Sequence, residues 1–356
     1  MKQNKPWLAG IFILASLIIS ACSGGVGAKP TEKEIIIDPN EGMTEEVGTP
    51  IPTPTLRPAP TSIPEPAEGA TEVPTPTNTL NPYDTLIFEG IQLRIDEQFD
   101  AAFTKFGEAI QMDPTKPEGY IERGVTYSNT GKFDEAITDF NFAINYDPEN
   151  ASAYNARGVA WAQKDQLSQA IKDYDKAVEL DPTFAKAITN RAIANMLQGK
   201  YDEGLTDFTK AIEASPDNPE GYFNRGQAYI TTLTQTGEQS YIDLCVADFN
   251  QVLTFQPEDA ESLFNRGLCH SFKGDYVRSM EDYTAAIDLS PERAVFYLYR
   301  AALYPDIGTR AQALADAQKV LDLSQDADIR VEAEKMLTEI PKTPEPTPGA
   351  TPTPSS

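Results

Sequence analysis

The side chains that could do chemistry in this sequence are mostly arginines and aspartates, and they recur at a fixed interval. Arg123, Arg157, Arg191, Arg225, Arg266 and Arg300 are followed by Asp139, Asp173, Asp207, Asp248, Asp282 and Asp316. The separation is sixteen residues everywhere except Arg225 to Asp248. A guanidinium and a carboxylate held in one plane make a two-point, charge-assisted bond. Six such pairs in one chain point to a structural cross-link used over and over, not to a catalytic centre. A seventh pair, Glu89 and Lys105, keeps the interval and exchanges the signs. If each aspartate faced the arginine that comes after it in the chain, Lys105 would meet Arg123 and two cations would collide. The exchange therefore predicts pairing inside one segment.

Other reactive groups are few. His270 is the one histidine, and it takes the place that Tyr127, Trp161 and Tyr229 hold in other segments. That position predicts a packed core histidine in preference to a base or a ligand. The sequence has no nucleophile elbow, phosphate-cradling glycine loop, HExxH or cysteine cluster, so no catalytic residue, metal or cofactor is expected. Cys245 and Cys269 fall on neighbouring predicted helices, where they can either form a disulfide or stand as two ordinary buried thiols.

The elements that carry these residues repeat. Gly90, Gly124, Gly158, Ala192, Gly226, Gly267 and Ala301 are spaced 34, 34, 34, 34, 41 and 34 residues apart, and the closing prolines 114, 148, 182, 216, 257 and 291 keep the same beat. Copies such as RGVAWAQKDQLSQAIKDYDKAVELDP, from Arg157, give a small residue on a first helix, a stop, and an apolar stripe on a second helix. This 34-residue pattern resembles the tetratricopeptide repeat (TPR) family. The resemblance implies an all-α fold: a right-handed α-solenoid of seven helix-turn-helix repeats spanning 83–340, with repeats starting near 83, 117, 151, 185, 219, 260 and 294. A capping helix is expected over 326–340, because solenoids need a polar end face. Tyr120, Gly124 and Tyr127 on one helix and Ala136, Phe140, Ala143 and Ile144 on the next predict the packed stripe. Gly131, Gly199, Gly274 and Gly308 mark first-helix ends. The seven extra residues of the fifth copy divide four and three about Gly237, which predicts about one added turn on each of its helices.

Both ends differ from this array. Lys2 and Lys5 precede a short apolar run, Trp7 to Ile19, that ends in Ile19-Ser20-Ala21-Cys22. The pattern resembles the signal peptide and lipobox of bacterial lipoproteins, which implies cleavage after residue 21 and lipid on Cys22. The mature chain would then be anchored to the cell membrane outside the cytoplasm. Residues 22–82 and 341–356 are rich in Pro and Thr and are expected to stay disordered, the first as a tether. About 60 flexible residues span about 45 Å. With 54 acidic against 29 basic residues, the net charge is −25, which disfavours nucleic acid and anionic surfaces as partners.

In the resembling family the first helices line a groove that receives a peptide or partner helix. Asn190, Asn224 and Asn265 each stand two residues before the small residue of their copy, with Asn155 nearby. They resemble the asparagine ladder of peptide-binding members, because an amide can both donate to and accept from a peptide backbone. Phe223, Phe264 and Tyr299 are expected to add apolar contact area beside them. The carboxylate clamp of chaperone-binding members is not matched, since Lys186 stands almost alone. The expected function is a lipid-anchored extracytoplasmic scaffold holding a protein or peptide of unspecified identity. The alternatives are an accessory subunit or regulator of an envelope enzyme such as a peptidoglycan hydrolase, and a cell-wall-glycan binder.

Overall fold

The computed structural model describes residues 81–307 and 310–339. The predicted leader, the predicted lipid site Cys22, residues 22–80 of the expected tether, residues 341–356 and Gly308 lie outside the described residues, whereas Asn81 and Pro82, expected in the disordered tether, cap and open the first helix because an Asn side chain and a first-turn Pro both suit a helix start. Among those described there are fifteen α-helices and no strand. They fall into two compact units that divide between Pro182 and Thr183.

The first unit holds three helix pairs: α1 (Pro82–Ile95) with α2 (Phe99–Met112), α3 (Pro117–Asn129) with α4 (Phe133–Tyr146), and α5 (Ala151–Gln163) with α6 (Leu167–Leu180). Each helix packs on the next, and α3 also touches α1 and α5. The second unit holds α7 (Ala185–Leu197) with α8 (Tyr201–Ala214), α9 (Pro219–Thr236) with α10 (Tyr241–Phe255), α11 (Ala260–Lys273) with α12 (Tyr276–Leu289), and α13 (Ala294–Ile307) with α14 (Arg310–Leu323). A last helix, α15 (Ala327–Glu339), closes that unit against α13 and α14 through Ala333 and Met336.

Local sequence explains the boundaries. Side chains of Asn81, Asn150, Asn218 and Asp259 accept backbone N–H groups at the starts of α1, α5, α9 and α11, which satisfies donors a helix start leaves over. Pro82, Pro117 and Pro219 occupy first-turn positions where no N–H is needed. Gly131 and Gly199 take φ values of 74° and 75° just past α3 and α7, as expected. The equivalent residues after α1 and α5 are Glu97 and Asp165, at φ 57° and 59°. These two side chains accept a left-handed backbone that favours glycine.

The small residues of the first helices have a visible cause. A Cβ on Gly124 would come within 2.7 Å of the Phe140 ring, and one on Gly158 within 2.6 Å of Tyr174. In the five repeats with glycine at this position the aromatic ring of the second helix therefore lies against the backbone of the first, and Phe140 and Tyr174 are completely buried.

The fifth repeat corrects one expectation. α9 has 18 residues, against 13 in α3, α5 and α7, while α10 has 15 against 14 in its counterparts. The insertion therefore lengthens the first helix and the turn, 237–240, and hardly lengthens the second. Apolar Leu233 and Thr232 continue the buried face of α9 past the usual stop, and Gly237, at φ 74°, ends it.

Candidate functional site

The arginine–aspartate pairs form inside each repeat, as the charge exchange requires. Arg157 Nε and Nη2 donate to the two carboxylate oxygens of Asp173 at 2.8 and 2.7 Å. Arg123 binds Asp139 at 2.7 and 2.8 Å and Arg191 binds Asp207 at 2.8 Å twice. Arg225–Asp248, Arg266–Asp282 and Arg300–Asp316 repeat the geometry, and Lys105 meets Glu89 at 2.7 Å. The aspartates are all buried. Burial pushes the carboxyls of Asp139 and Asp248 above their ordinary range while the facing arginine pulls them back. The same hydrogen bonds raise Arg123, Arg225 and Arg300. Both charges of each pair are engaged with one another, so these groups fix helix register.

A further partner of these arginines was not anticipated. Arg157 Nη1 donates to Asn141 at 2.7 Å, Arg225 to Thr209 at 3.1 Å, Arg266 to Asn250 at 2.8 Å and Arg300 to Thr284 at 3.2 Å. Each acceptor lies on the second helix of the preceding repeat. One guanidinium thus ties three helices together. The signal was present: a short polar residue stands two positions after the aspartate in each of those preceding copies.

The predicted groove residues are placed differently from expectation. Phe264 and Tyr299 are each 2% exposed. Their rings meet edge to face at 5.1 Å, and Phe264 also contacts Phe296 at 4.8 Å and Tyr283 at 5.4 Å. They belong to the core of the second unit, so the expected apolar contact area is not there for a ligand. Phe223 is partly buried, with its ring edge on Phe249 at 5.8 Å. Asn155, Asn190, Asn224 and Asn265 are all buried. Asn265 spends an amide N–H on its own helix, donating to Glu261 O at 2.8 Å, and Asn155 and Asn190 are also engaged. First helices have neighbours beside and behind them, and sequence register alone cannot show how far those neighbours enclose a given side chain.

Several polar groups gather in the same layers. Glu122 and Arg94 form a buried ion pair at 2.8 Å between α3 and α1, and burial raises the Glu122 carboxyl despite the guanidinium. His270 is buried, as expected of a core histidine, with Nε2 4.0 Å from Asp282. Its Nδ1 finds no hydrogen-bond partner among the described residues. Burial holds its imidazole below the ordinary value, with Asp282 acting in the opposite sense. Ser271 and Ser279 share a hydrogen bond of 2.6 Å beneath the Tyr283 hydroxyl. Cys245 and Cys269 are joined as a disulfide between α10 and α11, with Cα atoms 6.2 Å apart. Among the described residues, no group of acidic, histidine or cysteine side chains has the makings of a metal site, and no helix is long and apolar enough to cross a membrane.

Family models agree with this architecture. A tetratricopeptide-repeat model matches residues 121–183, a TPR-repeat model 194–231 and a further tetratricopeptide-repeat model 260–293. The chain carries tetratricopeptide repeats. Among solved structures, a TPR protein from Parabacteroides merdae is 18% identical, with a TM-score of 0.51 over 72% of this chain and 98% of its own. The C-terminal part of a TPR protein from Cytophaga hutchinsonii is 17% identical, with a TM-score of 0.55 over 69% of this chain and 98% of its own. Pseudomonas aeruginosa pilF is 15% identical, with a TM-score of 0.53 over 62% of this chain and 96% of its own. These likenesses bear on the fold alone. No curated protein is significantly similar in sequence. The TPR fold makes this protein a scaffold for protein–protein interaction, of a kind that typically has no enzymatic activity.

Proposed function

We propose that this TPR protein is a lipid-anchored scaffold outside the cytoplasm that holds a protein or peptide partner on the first-helix face of its second unit. The observation that carries the reading is the partly exposed ring of Phe223 on α9, beside Asn224, whose register Asn190 and Asn265 keep on α7 and α11. The buried amides of these asparagines hold the first helices that present this face. Phe223, beside Asn224, is the partly exposed aromatic of the set. Two observations support the location. The sequence before Cys22 has the lipobox form, and a Cys245–Cys269 bridge suits an oxidising compartment.

The test has two arms. Mass spectrometry of the mature N-terminus should find acylated Cys22, and Cys22→Ala protein should leave the detergent phase; an unmodified Cys22 in the mature protein would refute the anchor. For the face, a photo-reactive residue in place of Phe223 should capture one partner in intact cells. Titration of that partner should then weaken at least tenfold with Phe223→Ala. Equal affinity, at unchanged helicity, would move recognition elsewhere.

A further inference from the structure

The first helix of the array is apolar nearly all round, and one of its faces is left uncovered. Tyr83, Gly90 and Arg94 of α1 are buried against the array, whereas Phe88 is 54% and Ile95 64% exposed, with Ile87 and Ile91 partly exposed between them. A helix with apolar residues on every side ordinarily lies buried. The next repeat shows what this face is built to meet. The residues of α3 equivalent to Ile87, Phe88 and Ile91, namely Ile121, Glu122 and Val125, are buried, whereas Asn129, equivalent to Ile95, is exposed, and Arg94 of α1 reaches Glu122 from the first repeat. In α1 the position of Glu122 is taken by Phe88. Whatever lies against α1 must therefore offer an apolar group where α1 itself offers a guanidinium to α3.

Charge narrows the partner further. Within residues 81–100 the one cation is Arg94, buried with Glu122; from outside it, Lys116 lies over the Tyr83 ring at 4.2 Å and Lys132 lines one hollow with Glu97 and Asp100, leaving Asp84 and Asp96 without a neighbouring lysine among these. Asp96, Glu97 and Asp100 are exposed beyond the C-terminal end of the stripe, and Asp84 lies at the other end. Phe88, Ile91 and Ile95 are spaced i, i+3, i+7, the seam that a straight partner helix covers. The other end of the array is finished differently, since α15 packs through Ala333 and Met336 and turns Glu334 and Lys335 outward.

We propose that the exposed face of α1 is a docking site for a basic amphipathic helix of a partner protein, which lies against the first repeat as that repeat lies against the second. A second copy of this chain fits poorly, because two such faces would bring Asp96, Glu97 and Asp100 against one another in a chain of net charge −25. The site is separate from the first-helix face of the second unit and stands whether or not that face binds peptide.

The experiment uses the full chain and a fluorescent 18-residue stapled helical peptide with Leu at i, i+3, i+7 and i+10 and Lys at the flanking positions. Binding is expected, falling with salt, lost when the flanking Lys are Glu, and weakened at least tenfold by the Phe88→Glu, Ile95→Glu double change. If that variant loses helicity, Phe88→Ser with Ile95→Ser serves the same comparison. Benzoylphenylalanine at position 88 is expected to cross-link to the Lys peptide. Equal binding by variant and wild type, or equal binding of the Glu peptide, overturns the proposal. So does cross-linking into residues 1–80 of the same chain, or into a second copy that light scattering finds as a dimer.

Discussion

The Arg157–Asp173 pair is the place to test whether these cross-links hold the repeats in register. Arg157 makes three hydrogen bonds, two to Asp173 and one to Asn141 on the preceding repeat. Asp173 is 7% exposed, so removing Arg157 strands a carboxylate that water hardly reaches. Breaking a buried pair from one side costs about 3 to 5 kcal/mol. The Arg157 side chain is 19% exposed, which places Arg157→Met near 3 kcal/mol. Asp173→Leu should cost less, about 1 to 2 kcal/mol, because the freed guanidinium can turn to solvent. The double variant exchanges the pair for apolar packing and should recover much of the loss, giving a coupling of about 2 kcal/mol. A cycle on Arg157 and Asn141 should give about 1 kcal/mol. One on Arg157 and Asp139 should fall below about 0.5 kcal/mol, since Asp139 is already held by Arg123. The assay is urea unfolding followed by Trp161 fluorescence in a Trp7→Phe background. Trp161 lies one turn beyond Arg157 on α5, so it reports the third repeat even where a repeat array does not unfold as one unit. A larger coupling for Asp139 than for Asp173 would refute the within-repeat assignment.

Four further outcomes follow from the structure. Because burial holds His270 below 6.5 in the folded chain, the unfolded chain takes up its proton first as pH falls. The stability this group contributes is therefore present above about 6.5 and lost as pH drops through that value towards the folded one. Melting temperatures at pH 7.5 and 5.5 should show an acid-side drop in wild type that His270→Tyr reduces; equal drops would mean that the imidazole titrates normally. Reducing Cys245–Cys269, 24 residues apart, should cost about 3.5 kcal/mol by the chain-entropy relation, read as a lower melting temperature in dithiothreitol, and ready alkylation of both cysteines in native unreduced protein would contradict the bridge. Asp165→Gly should stabilise the third repeat by roughly 1 kcal/mol, because the backbone there is left-handed at φ 59°; a loss in the same urea assay would show that the side chain contributes there. The Asn190, Asn224, Asn265 triple change to Ala should lower stability by about 1 to 3 kcal/mol, measured by urea unfolding, since all three amides are buried; unchanged stability would mean that they face solvent.

Much of this protein was legible in one sequence. Thirty-four-residue spacing determined the number and order of the helix pairs, because a small residue on the first helix, a turn and a second helix facing it are local requirements that recur from copy to copy. The exchanged pair Glu89–Lys105 determined the pairing of Arg123 with Asp139 and of its later counterparts, because like charges exclude the other arrangement. The site was less legible. Asn190 and Phe264 have residue types and register that suit a groove, yet Phe264 stacks in a ring cluster with Tyr283, Phe296 and Tyr299, and all four candidate asparagines are enclosed. Exposure depends on how closely neighbouring helices approach, and that is set by side chains far apart in the chain. The same holds for the third bond of each bridging arginine, for the extension of α9 without an equal extension of α10, and for the uncovered stripe of Phe88, Ile91 and Ile95. Sequence determines which residues recur at one position of a repeat; only packing decides which copies of that position are covered, and by what.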